Sequence, residues 1–286
     1  MTDQVNILGP SSEHVALTLL LNHQDLIMLV ATFGGMLVLL MWERVWPRRH
    51  SPDLPISRWW NNWLLGYLNF AIILWLLRLV EQSSWFAALR PEQSLLEHMH
   101  PALALLLLLF IVEGITYALH RLFHVSPLLW RFHAVHHLDT EVDVTTSHRH
   151  HIVEVLATTL IVMSIIFLLN VPAVIVMFVA LLRLMIALMS HSNLDLPESV
   201  DRRLRWFIVT PDFHRLHHSS DPRHTNSNYG AVFPWFDYLF NTVSTVPYKE
   251  QRHMQLGLEY LRGRRDSRLD QLLLLPFVWK RRALPI

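Results

Sequence analysis

The chain has 286 residues, of which 52% are hydrophobic and 16% charged, with a formal net charge of +1. That balance is too apolar for an ordinary soluble domain and too near neutrality to point to nucleic acid. Cysteine is absent, which excludes disulfides, thiolate zinc sites and iron–sulfur clusters, while nineteen histidines stand out.

The N-terminal stretch MTDQVNILGP lacks the basic region of a cleavable signal, and residues 1–22 hold no Lys or Arg. An apolar run over about 26–42 predicts a first membrane span, because about 20 residues at about 1.5 Å each cross a bilayer. The loop 43–58 is basic, with Arg44, Arg48, Arg49, Arg58 and three prolines. Trp59 and Trp60 open a second span that runs to about residue 80. The connector 81–100 carries Glu81, Glu92 and Glu97 against Arg90. A third span covers about 101–119 and ends on His120. After a polar stretch, residues 152–190 are apolar almost throughout, and Asn170, Val171 and Pro172 divide them into two spans, the second ending at His191. The remainder is polar and basic. With no internal repeat, residues 1–286 read as one domain: two N-terminal spans at 23–81, a central region at 100–245 and a C-terminal cytoplasmic tail at 246–286.

Arg-rich loops face the cytoplasm. The contrast between 43–58 and 81–100 therefore puts the N-terminus outside and brings His120, His151 and His191 to the cytoplasmic face. The expected fold is all-α, a polytopic membrane helical bundle of about five membrane-embedded helices. A cytoplasmic helical cap, folded over the ends of spans three to five, carries a His-rich site.

His120 and His124 are spaced HxxxH, while His133, His136 and His137, and again His214, His217 and His218, are spaced HxxHH. Residues three or four apart share a helix face, and adjacent ones diverge by about 100°. Eight imidazoles are too many for one tetrahedral zinc and suit two ions. Neutral imidazole favours Zn, Cu, Fe or Ni over Mg or Ca. His191, ending a span on the same face, reads as a ninth ligand. His148, His150 and His151 stay open between ligand, orienting and structural roles. His14, His23, His98 and His100 read as interfacial, His50 and His253 as solvated, and His224 stays unassigned. Unliganded interfacial histidines would not gather three clusters on one face, and bis-histidine haem needs pairs deep within spans. Arg183, inside the last span, either snorkels to the cytoplasmic surface or faces the bundle to pair with Glu154 or Glu113.

These motifs resemble the fatty acid hydroxylase, or sterol desaturase, superfamily of membrane non-haem diiron enzymes. The resemblance rests on Tyr117, His120, Arg121 and His124, on His133, His136 and His137, and on His214, His217 and His218. Thr146, Arg149, His151 and Glu154 resemble a further family stretch, with Ile152 where proline is usual. Asn228, Tyr229 and Gly230, and then Trp235, Asp237, Phe240 and Thr242, resemble its C-terminal pattern, with Asn241 where glycine is common. The likeness covers about 100–245. It implies two Fe ions, O2 as cosubstrate, and hydroxylation or desaturation of a membrane lipid, whether fatty acyl, sterol, carotenoid or ether lipid. No Rossmann or flavin motif is present, so an external electron donor is implied. His151, Glu154, Asp139, Asp212 and Asp237 are candidates to orient imidazole N–H groups. The competing readings are a dizinc membrane hydrolase and a non-catalytic metal-binding or transport protein.

Overall fold

The computed structural model describes residues 12–50, 56–89, 91, 93–96 and 98–279, with backbone alone at 12–16, 81 and 85–87. Arg90, Glu92, Glu97 and the side chains of His14 and Glu81 lie outside the described residues. Among those described, the regular elements are all helices. In chain order they are α1 (Ser12–Asn22), α2 (Gln24–Val45), α3 (Ile56–Gln82), α4 (Ser84–Leu89), α5 (Pro101–Val125), α6 (Pro127–His137), α7 (Ile152–Leu168), α8 (Ala173–His191), α9 (Glu198–Leu204), α10 (Pro211–His217), α11 (Pro222–Thr225), α12 (Trp235–Leu239) and α13 (Leu269–Leu274). Two 3-10 turns, Val144–His148 and Glu250–Arg252, complete the set.

Among the described residues, four helices are long and apolar enough to cross a membrane: α2, α3 over Ile56–Val80, α5 and α8. The fifth expected span, α7, has 17 residues and is shorter. At about 1.5 Å per residue it falls short of a hydrocarbon core about 30 Å thick. Its hairpin with α8 turns on Asn170, whose φ of 46° is a left-handed conformation that Asn tolerates. The bundle is polytopic and helical, held by apolar packing of Leu108, Leu109 and Val112 on α5 against Ile175, Val179 and Ile186 on α8.

Three local features carry the histidines. Helix α5 does not stop at residue 119 but continues to Val125, so His120 and His124 stand one turn apart on its last two turns. Ser126 then ends α5 and caps α6, its side chain accepting from Leu129 N, and Pro127 takes the first helical position, where a missing N–H costs nothing. Helix α6 aims His133 and His137 along one face, with His136 about 60° from His133 and about 100° from His137. Thr210 and Pro211 start α10 in the same way and deliver His214, His217 and His218.

A buried ionic frame lies beneath them. Arg58, at the start of α3, contacts Asp139 at 2.5 and 2.9 Å and Asp143 at 2.6 Å. Arg149 donates to Val135 O at 3.0 Å and to Asn62 Oδ1 at 3.1 Å. Burial alone would raise the Asp139 carboxyl, but Arg58 and Arg149 hold it below its usual range. Arg48 pairs with Asp212 at 3.0 Å and Asp195 at 3.2 Å, and Glu43 accepts from Val144 N at 2.9 Å and Asn193 N at 2.7 Å. The basic loop after the first span is thus partly a set of buried clamps: Arg48 and Arg58 are 2% and 3% exposed.

Candidate metal centre

The nine histidines divide into two adjoining groups. His120, His124, His133, His137 and His217 offer one nitrogen each within 4.8 Å of one another, and so do His136, His191, His214 and His218. Their convergence comes from helices α5, α6, α8 and α10, with α6 and α10 each contributing to both groups.

In the first group the outer ring nitrogens decide which inner ones face the centre. His120 Nδ1 donates to Tyr229 O at 2.7 Å, and His217 Nδ1 donates to Ser227 O at 2.7 Å. His133 Nδ1 lies 2.8 Å from Glu154 Oε1, and His124 Nδ1 lies 3.2 Å from Asn226 Oδ1. Each of these acceptors calls for the hydrogen on Nδ1, so in the neutral ring Nε2 carries a bare lone pair. His120 Nε2 and His133 Nε2 are nonetheless 3.0 Å apart, and His137 Nε2 is 3.2 Å from His133 Nε2. In the His120–His133 pair, two lone pairs that close repel unless a cation sits between them, whereas no acceptor among the described residues fixes the hydrogen of His137 on Nδ1. His124 Nε2 and His217 Nε2 are buried without a partner among the described residues.

The second group shows the pattern at His191, while the Nδ1 atoms of His136, His214 and His218 are buried with no partner among the described residues. His191 Nδ1 donates to Ala187 O at 2.7 Å, leaving its Nε2 bare, 3.2 Å from His136 Nε2 and 3.0 Å from His214 Nε2. His218 Nε2 is 3.3 Å from His214 Nε2. Burial, reinforced by neighbouring imidazoles, holds His136, His137, His214, His217 and His218 well below the ordinary value of 6.5, so these rings are neutral at neutral pH, the form that can ligate a metal. The donor set is all nitrogen, which fits borderline transition metals rather than Mg or Ca.

The remaining candidates fall in different places. Glu154 touches both His133 and His150, the latter at 3.0 Å, and His150 stacks on His136 with ring centroids 4.1 Å apart. Asp237 touches no histidine directly. It accepts from Tyr229 N at 2.8 Å and Gly230 N at 2.7 Å, and so steadies the Tyr229 peptide whose carbonyl holds His120. Burial raises its carboxyl to about 6. Asp212 pairs with Arg48 and Arg215, and Asp139 with Arg58, so neither carboxylate reaches an imidazole. His151 caps α7, its Nδ1 accepting from Val153 N at 3.1 Å, and donates through Nε2 to Leu273 O at 3.1 Å. His148 contacts Ser147 and packs on Gly66. His224 bonds Ser244 at 2.6 Å, away from both groups.

Sequence reasoning missed Ser227 O, Tyr229 O, Ala187 O and Asn226 as orienting acceptors. Three of the four are backbone carbonyls, which leave no trace in residue identity. Asn226 could have been noticed as a polar residue eight positions beyond His218.

A cavity of about 280 Å³ opens between α5, α7 and α8 and reaches His120, His133, His136, His191 and His214 from the side of the spans. Arg183 lines it and forms an ion pair with Glu113.

Comparison with known proteins bears on this region. Residues 105–242 match the Fatty acid hydroxylase family. Ornithine lipid hydroxylase OlsE of Rhizobium tropici is 31% identical over 163 residues, covering 55% of this chain and 48% of that protein. Very-long-chain aldehyde decarbonylase GL1-4 of Oryza sativa subsp. indica is 34% identical over 141 residues, covering 46% and 22%. Alkylglycerol monooxygenase of Xenopus tropicalis is 28% identical over 137 residues, covering 47% and 29%. The chain therefore spans about half, or less, of the length of these curated relatives. No solved structure matches.

Proposed function

The chain belongs to the fatty acid hydroxylase family through its residues 105–242, and from that membership we propose that it oxidises a C–H bond of a membrane lipid with O2. The reading assigns two iron ions to the nine histidines, one to His120, His124, His133, His137 and His217 and one to His136, His191, His214 and His218. One observation carries it: imidazole nitrogens converge in two adjoining groups, with Nδ1 of His120, His124, His133, His191 and His217 tied to acceptors so that their Nε2 atoms are bare.

Iron bound there would supply the one-electron chemistry with O2 that unactivated C–H bonds require. Hydroxylation uses one O2, two electrons and two protons, leaving one oxygen atom on carbon and the other in water. Desaturation uses the same inputs, removes two hydrogens from the chain and leaves two waters. The electrons come from an external donor. The chain's own residues do the rest. Glu154, Tyr229 O, Ser227 O and Ala187 O fix ring orientation, Arg48 and Arg58 fasten the histidine-bearing loops, and the cavity at the spans admits an alkyl chain laterally from the bilayer. The names of ornithine lipid hydroxylase and alkylglycerol monooxygenase support a lipid substrate.

Metal analysis after iron-replete expression tests this directly. The expected result is two irons per chain, with O2-dependent oxidation of a lipid lost in His136→Ala and His217→Ala. Two tightly bound zincs with O2-independent turnover would transfer the site to the hydrolase reading, and freely exchanging metal without turnover to the transport reading. The site is assigned to the cytoplasmic face from the arginine asymmetry. Reporter fusions in the 81–100 connector and at the C-terminus should then report opposite sides.

A further inference from the structure

The cavity holds a polar belt that the metal centre does not use. Arg183 lies two turns before His191 on α8, Thr116 one turn before His120 on α5, and Thr158 one turn beyond Glu154 on α7, all lining the same space. At about 1.5 Å per residue the belt sits about 6–12 Å from the histidines, on the side of the spans. Arg183 Nη1 contacts Glu113 and donates to Thr116 Oγ1 at 3.4 Å. Glu113 also accepts from Val232 N at 2.6 Å and is 1% exposed on its side chain, against 23% for Arg183.

Two facts about this belt point to a ligand. The Nε and Nη2 donors of Arg183 have no partner among the described residues, although the side chain lines the cavity. The hydroxyls of Thr158 and Thr159 likewise have none. Helical hydroxyls ordinarily bond to a carbonyl one turn back, as Thr116 does to Val112 O at 2.9 Å and Ser164 to Leu160 O at 2.8 Å. Donors left open in a membrane-level cavity are costly unless something accepts from them.

Resting on the lipid-oxidation reading, we propose that Arg183 and Thr158 form a specificity subsite that anchors a neutral oxygen-bearing group of the substrate, such as an ester or amide carbonyl. The Glu113 carboxylate cancels the Arg183 charge, so the subsite offers hydrogen bonds without net positive charge. A carboxylate or phosphate entering it would bring a second anion beside buried Glu113, at the desolvation cost of an unpaired charge. A carbonyl oxygen takes the open donors without that penalty. Anchored there, the substrate presents carbons about 6–12 Å from that oxygen to the histidines.

The test uses purified metal-free protein in detergent micelles and ligand-observed NMR with methyl decanoate, decanoate and decane. Wild type is expected to bind the ester on the order of tenfold more tightly than decane, and more tightly than decanoate. Arg183→Lys retains the ion pair to Glu113 but gives up the planar fork, and Thr158→Val removes the hydroxyl. Each should bring ester affinity toward that of decane while decane itself is unaffected. An ester that binds no better than decane, or worse than decanoate, overturns the proposal. So does a loss common to ester and decane, which marks a structural role, or variants that keep the ester preference. Thr158→Val carries the test alone should Arg183→Lys fail to fold. Because no metal is present, this preference stands or falls separately from iron content and O2 dependence.

Discussion

Glu154 Oε1 lies 2.8 Å from His133 Nδ1 and 3.0 Å from His150 Nδ1, so one carboxylate oxygen ties together a ring of the first histidine group and a ring stacked on the second. It fixes the His133 hydrogen on Nδ1 and makes Nε2 the better donor. Glu154→Gln retains an acceptor of similar shape but loses the charge. Metal affinity should fall about 10–100-fold, measured by competition with a chromophoric chelator, with helical content unchanged. An affinity equal to wild type would leave Glu154 as packing alone.

Arg58 makes its ion pairs at 3% exposure, where removing one partner strands a buried charge. Arg58→Met is expected to cost about 3–5 kcal/mol and to release the Asp139–Thr146 segment that follows α6. Thermal unfolding in detergent should show it, together with reduced metal content. Arg223 offers the control, because its pair with Asp221 is solvent-exposed, and Arg223→Ala should leave the unfolding temperature where it is.

Arg58 also shows where sequence legibility ended. The helices, the hairpin at Asn170 and the gathering of nine histidines could be read from apolar runs and spacing, because both signals are local. Arg48 and Arg58 read as members of a basic loop, since nothing local distinguishes an arginine that will meet Asp139 or Asp212 from one facing water. Arg183 had two readings, and contact with Glu113 decided between them. The nearby aspartates were similar: Asp212 and Asp139 are taken by arginines, while Asp237 serves His120 only through the Tyr229 peptide. Asn241, in place of a common glycine, sits at φ 54°, a conformation Asn shares with Gly. Ile152 opens α7, where proline is favoured but not required.

Gly230 allows the backbone next to Tyr229 to approach closely. A Cβ there would lie 2.4 Å from Phe233 O and 3.0 Å from Asp237 Oδ2. The peptide must shift, and the Tyr229 carbonyl that holds His120 shifts with it. Gly230→Ala should cost about 1–3 kcal/mol and lower iron occupancy of the first group more than the second. Mössbauer spectra showing equal loss at both sites would detach Gly230 from His120.

The metal-free protein should be acid-sensitive in a defined window. His136, His137, His214, His217 and His218 are held well below 6.5 in the folded chain, first by burial and then by neighbouring imidazoles. Unfolded, each takes up a proton near 6.5, so between that value and its lower folded value the unfolded state binds more protons. Stability from these groups is therefore present above about pH 6.5 and is lost as pH falls, by up to about 1.4 kcal/mol per pH unit for each histidine. The unfolding temperature of apo protein in detergent should hold steady from pH 8 to pH 7 and drop progressively from pH 6.5 to pH 5. His217→Leu removes one such group and should make the drop shallower. An unfolding temperature insensitive to pH across that window would mean that these rings are hydrated and free to protonate in the folded chain, and would remove the basis for treating them as neutral ligands.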